Sequence, residues 1–452
     1  MKIEFFTREI CVCAHLTQTR DAQRACAEMG NKMEQNIAKE CLAYIDQSVS
    51  CYQAVETAAE KLNEAGFEEI SEKASWKLEK GGAYYVKRGE SSLIAFRLPK
   101  QDPAGYHVVA THSDSPSFKL KSQYELESSG YIRLNTEGYG GMIYATWFDR
   151  PLSLAGRVVY EDQGKLHSVN VNVDEDLLVI PSLAIHMNRE VNKGVEWNPQ
   201  VDLLPLMGGG DAKGYLEKKL LEFTGGKEIL GKDLYLYVRE KGCFAGADGT
   251  LLLSPRLDDL SCVYASLKAI LTRKPKDYCS VCAVFNNEEV GSLTRQGAAS
   301  TFLKDVLMRI CYALGGSESE YLQLIADSFM ISADNAHALH PAHPEKADPG
   351  NRPVLNGGIV IKHHGGQKYT TDAYTEGGMK SLCRQAQVPF QDYHNRSDVA
   401  GGSTLGNLAM AQAAIKAVDI GLPQLAMHSA VETAGSRDVE DLVKVLQVFC
   451  EK

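Results

Sequence analysis

Cys282-Ala283-Val284-Phe285-Asn286-Asn287-Glu288-Glu289-Val290-Gly291-Ser292 is a short apolar run that ends in two adjacent carboxylates and a glycine. The apolar part reads as a buried strand and the remainder as the turn at its carboxyl end. Neighbouring side chains of a strand point to opposite faces, so Glu288 and Glu289 serve one centre only where the strand ends and its backbone turns. Gly291 permits that turn. An isolated Glu-Glu pair is most often a solvated strand end, but this pair has company.

Four other stretches repeat the pattern of an apolar run followed by a metal-type ligand: Val108-Val109-Ala110-Thr111-His112-Ser113-Asp114, Arg256-Leu257-Asp258-Asp259, Phe329-Met330-Ile331-Ser332-Ala333-Asp334 and Leu425-Ala426-Met427-His428. Catalytic zinc is held by imidazole nitrogen and carboxylate oxygen with one position open to water. Two such ions sharing a carboxylate sit about 3.5 to 4 Å apart and clamp a hydrolytic water. In His112-x-Asp114 the two side chains share a strand face, so Asp114 is expected to hold the ring nitrogen that His112 does not give to a metal. One strand-end His or Asp is more often structural; the recurrence within one chain points to a metal site.

Working outward, the segments Ala83–Val86, Ser92–Phe96 and Tyr106–Thr111 read as strands. From Met33 the sequence turns helical, with Val55, Ala58, Ala59, Leu62 and Ala65 on one face and Gly66 placed to end the helix. After Asp248, helices and strands alternate: Leu260–Leu271, Val281–Phe285, Gly297–Ile310, Ser328–Ser332, Thr404–Val418, Leu425–His428 and Asp438–Val448. This predicts an α/β fold, a mixed-sheet αβα sandwich, with the candidate ligands at the carboxyl ends of its strands. Between Ser115 and Asp248 the texture is short and alternating, as in Val169, Val171 and Val173, with turns at Gly138, Gly140 and Gly141, and it reads as a β-rich insert. The expected organisation is a poorly packed extension over 1–32 with Met33 as working start, a discontinuous catalytic domain over 33–115 and 249–452, and a β-rich domain over 116–248. Gly208-Gly209-Gly210 before an expected helix Ala212–Phe223 lacks the Gly-Lys-Ser/Thr ending of a phosphate loop and supports no nucleotide site.

A chain of 452 residues exceeds one ordinary core, which predicts two or three domains. Its 44% hydrophobic and 23% charged residues are those of a water-soluble globular protein. A formal charge of −10 argues against nucleic acid and against a polybasic membrane surface. The 12 cysteines are scattered, several within apolar runs, and Cys279-x-x-Cys282 has no second pair to complete a zinc knuckle. Reduced cysteines and an N-terminus broken early by Glu4, Arg8 and Glu9 point to the cytoplasm, and no apolar run of about 18 residues predicts a membrane span.

THSDSPSFKLK (111–121), RLDDL (256–260), FNNEEVGS (285–292), ISADNAHALHP (331–341) and AMHSAVE (426–432) occur in the order used by the aspartyl aminopeptidase and aminopeptidase I family of co-catalytic dizinc metallopeptidases, which this chain resembles from about Met33 to its end. The resemblance implies that Asp258 bridges two divalent ions, zinc or, by ligand chemistry, cobalt or manganese. It assigns His112 and Asp334 to one ion, Glu289 and His428 to the other, the general base to Glu288 and the orienting of His112 to Asp114. It further implies that the insert is a dimerisation domain, that dimers assemble into a tetrahedral dodecamer, and that His186 reaches the neighbouring subunit's site to steady the oxyanion. The substrates implied are peptides with a free N-terminus. Acid-preferring members place a basic residue just before Gln367, where this chain has Gly366; Lys368 is the candidate substitute, and acidic and neutral or broad P1 preferences both stay open. Gly402, in the turn Gly401-Gly402-Ser403-Thr404, is a candidate contact for a peptide carbonyl through free amides at a helix start. His337, His340 and His343 are expected to shape the Asp334 loop, and His363, His364 and His394 to line the substrate mouth. Two other readings compete: a dizinc deacylase acting on N-blocked substrates, and a non-catalytic assembly or cargo protein, which predicts a lost ligand or base where every expected position is filled.

Overall fold

Four strands, Cys279–Phe285, Tyr106–His112, Phe329–Ala333 and Lys416–Gly421, lie parallel at the centre of a nine-stranded mixed sheet in the computed structural model, which describes residues 36–452. The expected extension over 1–32 lies outside the described residues. Antiparallel neighbours join on both sides: Ser92–Arg97 against Cys279–Phe285, and Ile359–His363 against Lys416–Gly421. The central strands are buried almost throughout and mostly apolar because both of their faces are covered. Val109, Cys282, Val284, Ile331, Val418 and Ile420 enter one core. Their alternates Val108, Val281, Ala283, Met330 and Ala417 enter the other.

The first core is closed by helices Cys51–Glu64, Leu257–Thr272, Ala373–Ala386 and Ser436–Glu451. Phe302–Ala313, Glu318–Asp327 and Leu405–Ala413 close the second, completing the expected αβα sandwich. Helix starts are chemically marked: Ser50 accepts from the Tyr52 amide, and Ser317 with Glu320 forms a reciprocal capping box. The central strands also finish together. Phe285 pairs with His112 and Ala333 with Ile420, so the segments that follow them emerge on one edge.

A separate six-stranded antiparallel sheet runs between Ser117 and Val238, with its own core including Phe118, Leu134, Trp147, Leu154 and Leu236. A third sheet of five strands joins Leu251–Ser254 to Glu432–Gly435 and Pro423–Leu425.

Local differences from the sequence expectations have local causes. The expected helix Thr404–Val418 stops at Ala413, where Ala414 turns left-handed (φ 50°), and the β-branched run beyond it becomes the central strand Lys416–Gly421. The helix expected from Gly297 starts at Phe302, and that expected from Ala212 starts at Tyr215. The strand expected over Leu425–His428 is Pro423–Leu425, after which Ala426 and His428 are both left-handed (φ 54° and 66°). Among the described residues no helix is long and apolar enough to cross a membrane.

His107 shows how the last helix is docked. Its ring is stacked between Tyr278 and Phe449, with Nδ1 3.0 Å from the Phe449 carbonyl oxygen. Burial lowers its pKa to about 4. The unfolded chain, with an ordinary imidazole near 6.5, therefore binds more protons than the folded one between those values, and stability falls as pH drops through that window. His107→Phe keeps the stacking and is expected to reduce this acid-side loss by up to roughly 3 kcal/mol. Denaturant unfolding of both proteins at pH 4.5 and 7 checks it, and an unchanged difference would refute the assignment.

Candidate metal centre

His112 ends its strand with its amide donating to Asp259 Oδ2 at 3.1 Å. Its Nδ1 lies 3.1 Å from the Asp114 main-chain oxygen, which can only accept, so Nδ1 carries a proton and Nε2 is the nitrogen turned toward the cluster. That Nε2 faces Asp258 Oδ1 at 3.6 Å and Asp334 Oδ1 at 3.9 Å. The Asp114 carboxylate is farther from Nδ1, at 3.5 Å, so the closer hold on His112 is through the main chain of Asp114. His428 repeats the arrangement: Nδ1 meets the Gly141 carbonyl oxygen at 2.7 Å, leaving Nε2 3.4 Å from both Asp258 Oδ2 and Glu289 Oε2. An imidazole that gives its second N–H to a carbonyl is oriented as a metal ligand usually is.

Asp258 stands between the two histidines with one oxygen toward each. It is separated from the strand Leu251–Ser254 by a turn. It opens the helix Leu257–Thr272 with non-helical backbone, after a left-handed Arg256 (φ 57°). The sequence singled out no role for Glu432, yet its buried carboxylate accepts from the Asp258 amide at 3.0 Å and the His428 amide at 2.7 Å. Its only sequence signal is its place at the end of AMHSAVE.

The two glutamates sit on the turn that their sequence called for. Glu288–Val290 forms one 3-10 turn between left-handed Asn287 (φ 62°) and Gly291 (φ 97°). Both of their amides donate to the Asp114 carboxylate at 3.2 Å. A third donor is the Tyr139 hydroxyl, 2.7 Å from Asp114 Oδ2, and Asn287 Nδ2 donates in turn to Tyr139 at 2.8 Å. Glu289 thereby joins Asp258 and His428, while Glu288 has a carboxylate oxygen within 4.8 Å of ligand atoms of His112 and Glu289 and lines the cavity that opens onto them.

The electrostatics call for cations. Asp258 Oδ1, Asp259 Oδ1 and Glu289 Oε1 are buried without a hydrogen-bond partner, a costly state for carboxylates. Burial raises Glu289 well above the usual carboxylate range and Glu288 to about 8. Burial also lowers the His428 imidazole, but Asp258 and Glu289 outweigh it and raise the group to about 10. Ligand atoms within 4.8 Å of one another form one group from His112, Asp258, Asp259 and Asp334 and another from Asp258, Glu289 and His428. This nitrogen and oxygen donor set fits two divalent ions that share Asp258.

A cavity of about 340 Å³ opens onto the cluster, lined by Glu288, His337, Lys362, Tyr369 and Gly402 among others. Lys362, to which the sequence assigned no role, lies in the strand Ile359–His363, is buried, and holds its ammonium 3.7 Å from Asp334 Oδ2. Lys368, the expected substrate contact, does not line the cavity; its ammonium donates to the carbonyls of Ala400 and Gly401 at 3.0 and 2.9 Å. His186 is exposed in the insert and does not line the cavity of its own chain. His363 is bonded to Asp392 and stacked on His394, which lines a second cavity of about 470 Å³ sharing His337, Tyr393 and Gly402 with the first. Calorimetric titration of metal-stripped protein with Zn²⁺ is expected to show two sites per chain. Asp258→Asn should weaken both by at least about 100-fold, beyond the usual effect of an outer partner; loss of only one site would refute sharing.

The family model described as "Aminopeptidase I zinc metalloprotease (M18)" matches residues 44–450. A protein of Clostridium acetobutylicum named "Probable M18 family aminopeptidase 2" is 44% identical over 429 residues, covering 92% of this chain and 99% of its own. In a solved complex of Ape4 and Nbr1, the matched chain superposes with a TM-score of 0.88 at 35% identity, covering 92% of this chain and 86% of its own. The S. cerevisiae mApe1 dodecamer gives a TM-score of 0.80 at 28% identity, with 92% and 97% covered. The chain belongs to the M18 family of aminopeptidase I zinc metalloproteases.

Proposed function

We propose that this protein is a zinc-dependent aminopeptidase that removes N-terminal residues from peptides. The observation that carries the reading is the pair of imidazoles facing a shared Asp258, with Glu288 beside His112 and lining the cavity. His112, Asp334 and Asp258 would hold one ion, and Asp258, Glu289 and His428 the other. Bound zinc would supply a Lewis acid for the scissile carbonyl and lower the pKa of a water. Glu288 takes a proton from that water at its carboxylate and delivers it to the leaving amine nitrogen. A free α-amine, in its unprotonated form, would offer these ions a nitrogen donor that an N-acylated substrate lacks, which favours an exopeptidase over a deacylase of N-blocked substrates.

Residues 116–248 serve in this reading as a dimerisation domain and 33–115 with 249–452 as the catalytic domain. Leu183, Ile185 and Met187 are exposed on both sides of His186, which supports packing of that loop against another copy and delivery of His186 to the neighbouring site. The dodecamer named for the S. cerevisiae relative supports the same assembly here. Unpaired cysteines throughout the described residues support a cytoplasmic location. Acidic and neutral or broad P1 preferences both stay open in this reading; Lys362, which lines the cavity, is the cation that an acidic preference would use, since Lys368 is held by the carbonyls of Ala400 and Gly401.

Hydrolysis of Asp-, Glu-, Leu- and Lys-derived fluorogenic amides, with and without chelation and zinc restoration, tests the function. Chelator-sensitive release is expected, and silence of the zinc-loaded oligomer on every free-amine substrate would sink it. Glu288→Gln is expected to lower kcat by about 10²- to 10⁴-fold with zinc content unchanged. An acidic preference carried by Lys362 predicts that Lys362→Met reduces the ratio of kcat/KM for Asp over Leu by about 10-fold or more, which a constant ratio would contradict.

A further inference from the structure

The insert reaches into the metal centre of its own chain. Tyr139 ends the strand Tyr131–Tyr139, and its hydroxyl donates to Asp114 Oδ2 at 2.7 Å while accepting from Asn287 Nδ2. Two residues on, the Gly141 carbonyl takes the His428 Nδ1 proton, and the Ile143 amide donates to the His428 carbonyl at 3.0 Å. Between them Gly140 is left-handed (φ 75°), and a Cβ there would stand 3.1 Å from Glu289 Cβ. One turn, 139–143, thus touches His428 directly and reaches Glu288, Glu289 and His112 through Asp114.

Asp114 is the hub of that path. Its carboxylate accepts the Glu288 and Glu289 amides at 3.2 Å each, and its main chain orients His112. The Tyr139 hydroxyl is its shortest hydrogen bond, and the phenol ring is fixed by edge contact with Tyr235 at 5.2 Å between centroids. A charged acceptor held by two long amide bonds and one short hydroxyl bond depends most on the short one.

We propose that Tyr139 is a positioning residue for the metal centre of its own subunit, its hydroxyl fixing Asp114 and, through Asp114, both the Glu288–Glu289 turn and His112. The inference rests on the metal-centre reading above. Groups that orient ligands in this way are worth about 10- to 100-fold in metal affinity or activity.

The test is Tyr139→Phe, which removes one oxygen and keeps the ring. Zinc affinity is measured by competition with a chromophoric chelator, alongside kcat, KM, the thermal midpoint and the oligomeric mass. Zinc affinity and kcat are expected to fall about 10- to 100-fold, with KM within about 2-fold and midpoint and mass unchanged. In combination with Asp114→Asn the loss should be no greater than with Asp114→Asn alone, since the two act in series. Wild-type zinc affinity and kcat in Tyr139→Phe would overturn the proposal, as would independent, multiplying effects of the two changes. A loss that tracks a lowered thermal midpoint overturns it too, because the hydroxyl would then hold the fold and not the site. The zinc measurement needs no peptide, so a wild type that cleaves nothing refutes the peptidase reading and leaves this inference standing on its own arm.

Discussion

Five carboxylates, those of Asp258, Asp259, Glu288, Glu289 and Asp334, meet two imidazoles at the edge of an apolar sandwich, and their mutual repulsion is what the surrounding structure must contain. Like charges taken out of water favour either protons or a bound cation. The protein answers with backbone amides as well as side chains. Asp114 collects the amides of Glu288 and Glu289, Glu432 those of Asp258 and His428, and Asp259 that of His112. Three buried acids thus hold the main chain from which the ligands project, while the ligands keep several oxygens free of hydrogen bonds.

Such a centre cannot be built from regular elements alone. Strand ends bring His112, Phe285 and Ala333 to one edge, His112 and Phe285 in register, but the side chains must then be turned inward within one or two residues. Non-glycine residues in left-handed backbone stand at three of these places: Arg256 before Asp258, Asn287 before Glu288, and Ala426 with His428 itself. Conformations of this kind cost energy and persist only where neighbours over-determine them. The amide bonds to Asp114 and Glu432 are those neighbours.

What the sequence made legible was whatever is carried by residue type next to an apolar run. The sandwich could be read from strands that are apolar on both faces, and the cluster from the hard ligands that follow them. Less could be read where the deciding contact is distant. Tyr139 and Asn287 are far apart in the chain, and nothing near Tyr139 marks it as a partner of Asp114. Lys362 looks like one polar residue in an edge-side strand until its neighbours are known. Lys368 looked free because the carbonyls of Ala400 and Gly401 that occupy it belong to another loop. The break after Ala413 was missed because no glycine or proline announces it, and burial of the following run in the sheet centre overrides its helical pattern.

The order in which the ligands occur along the chain bears on synthesis. His112 emerges about 300 residues before His428 and before the strand Glu432–Gly435, which pairs with Leu251–Ser254. Contacts of such long separation form late, after the intervening loop has been closed. A ribosome-bound chain therefore holds no finished cluster until the segment around His428 has emerged and packed against the earlier strands.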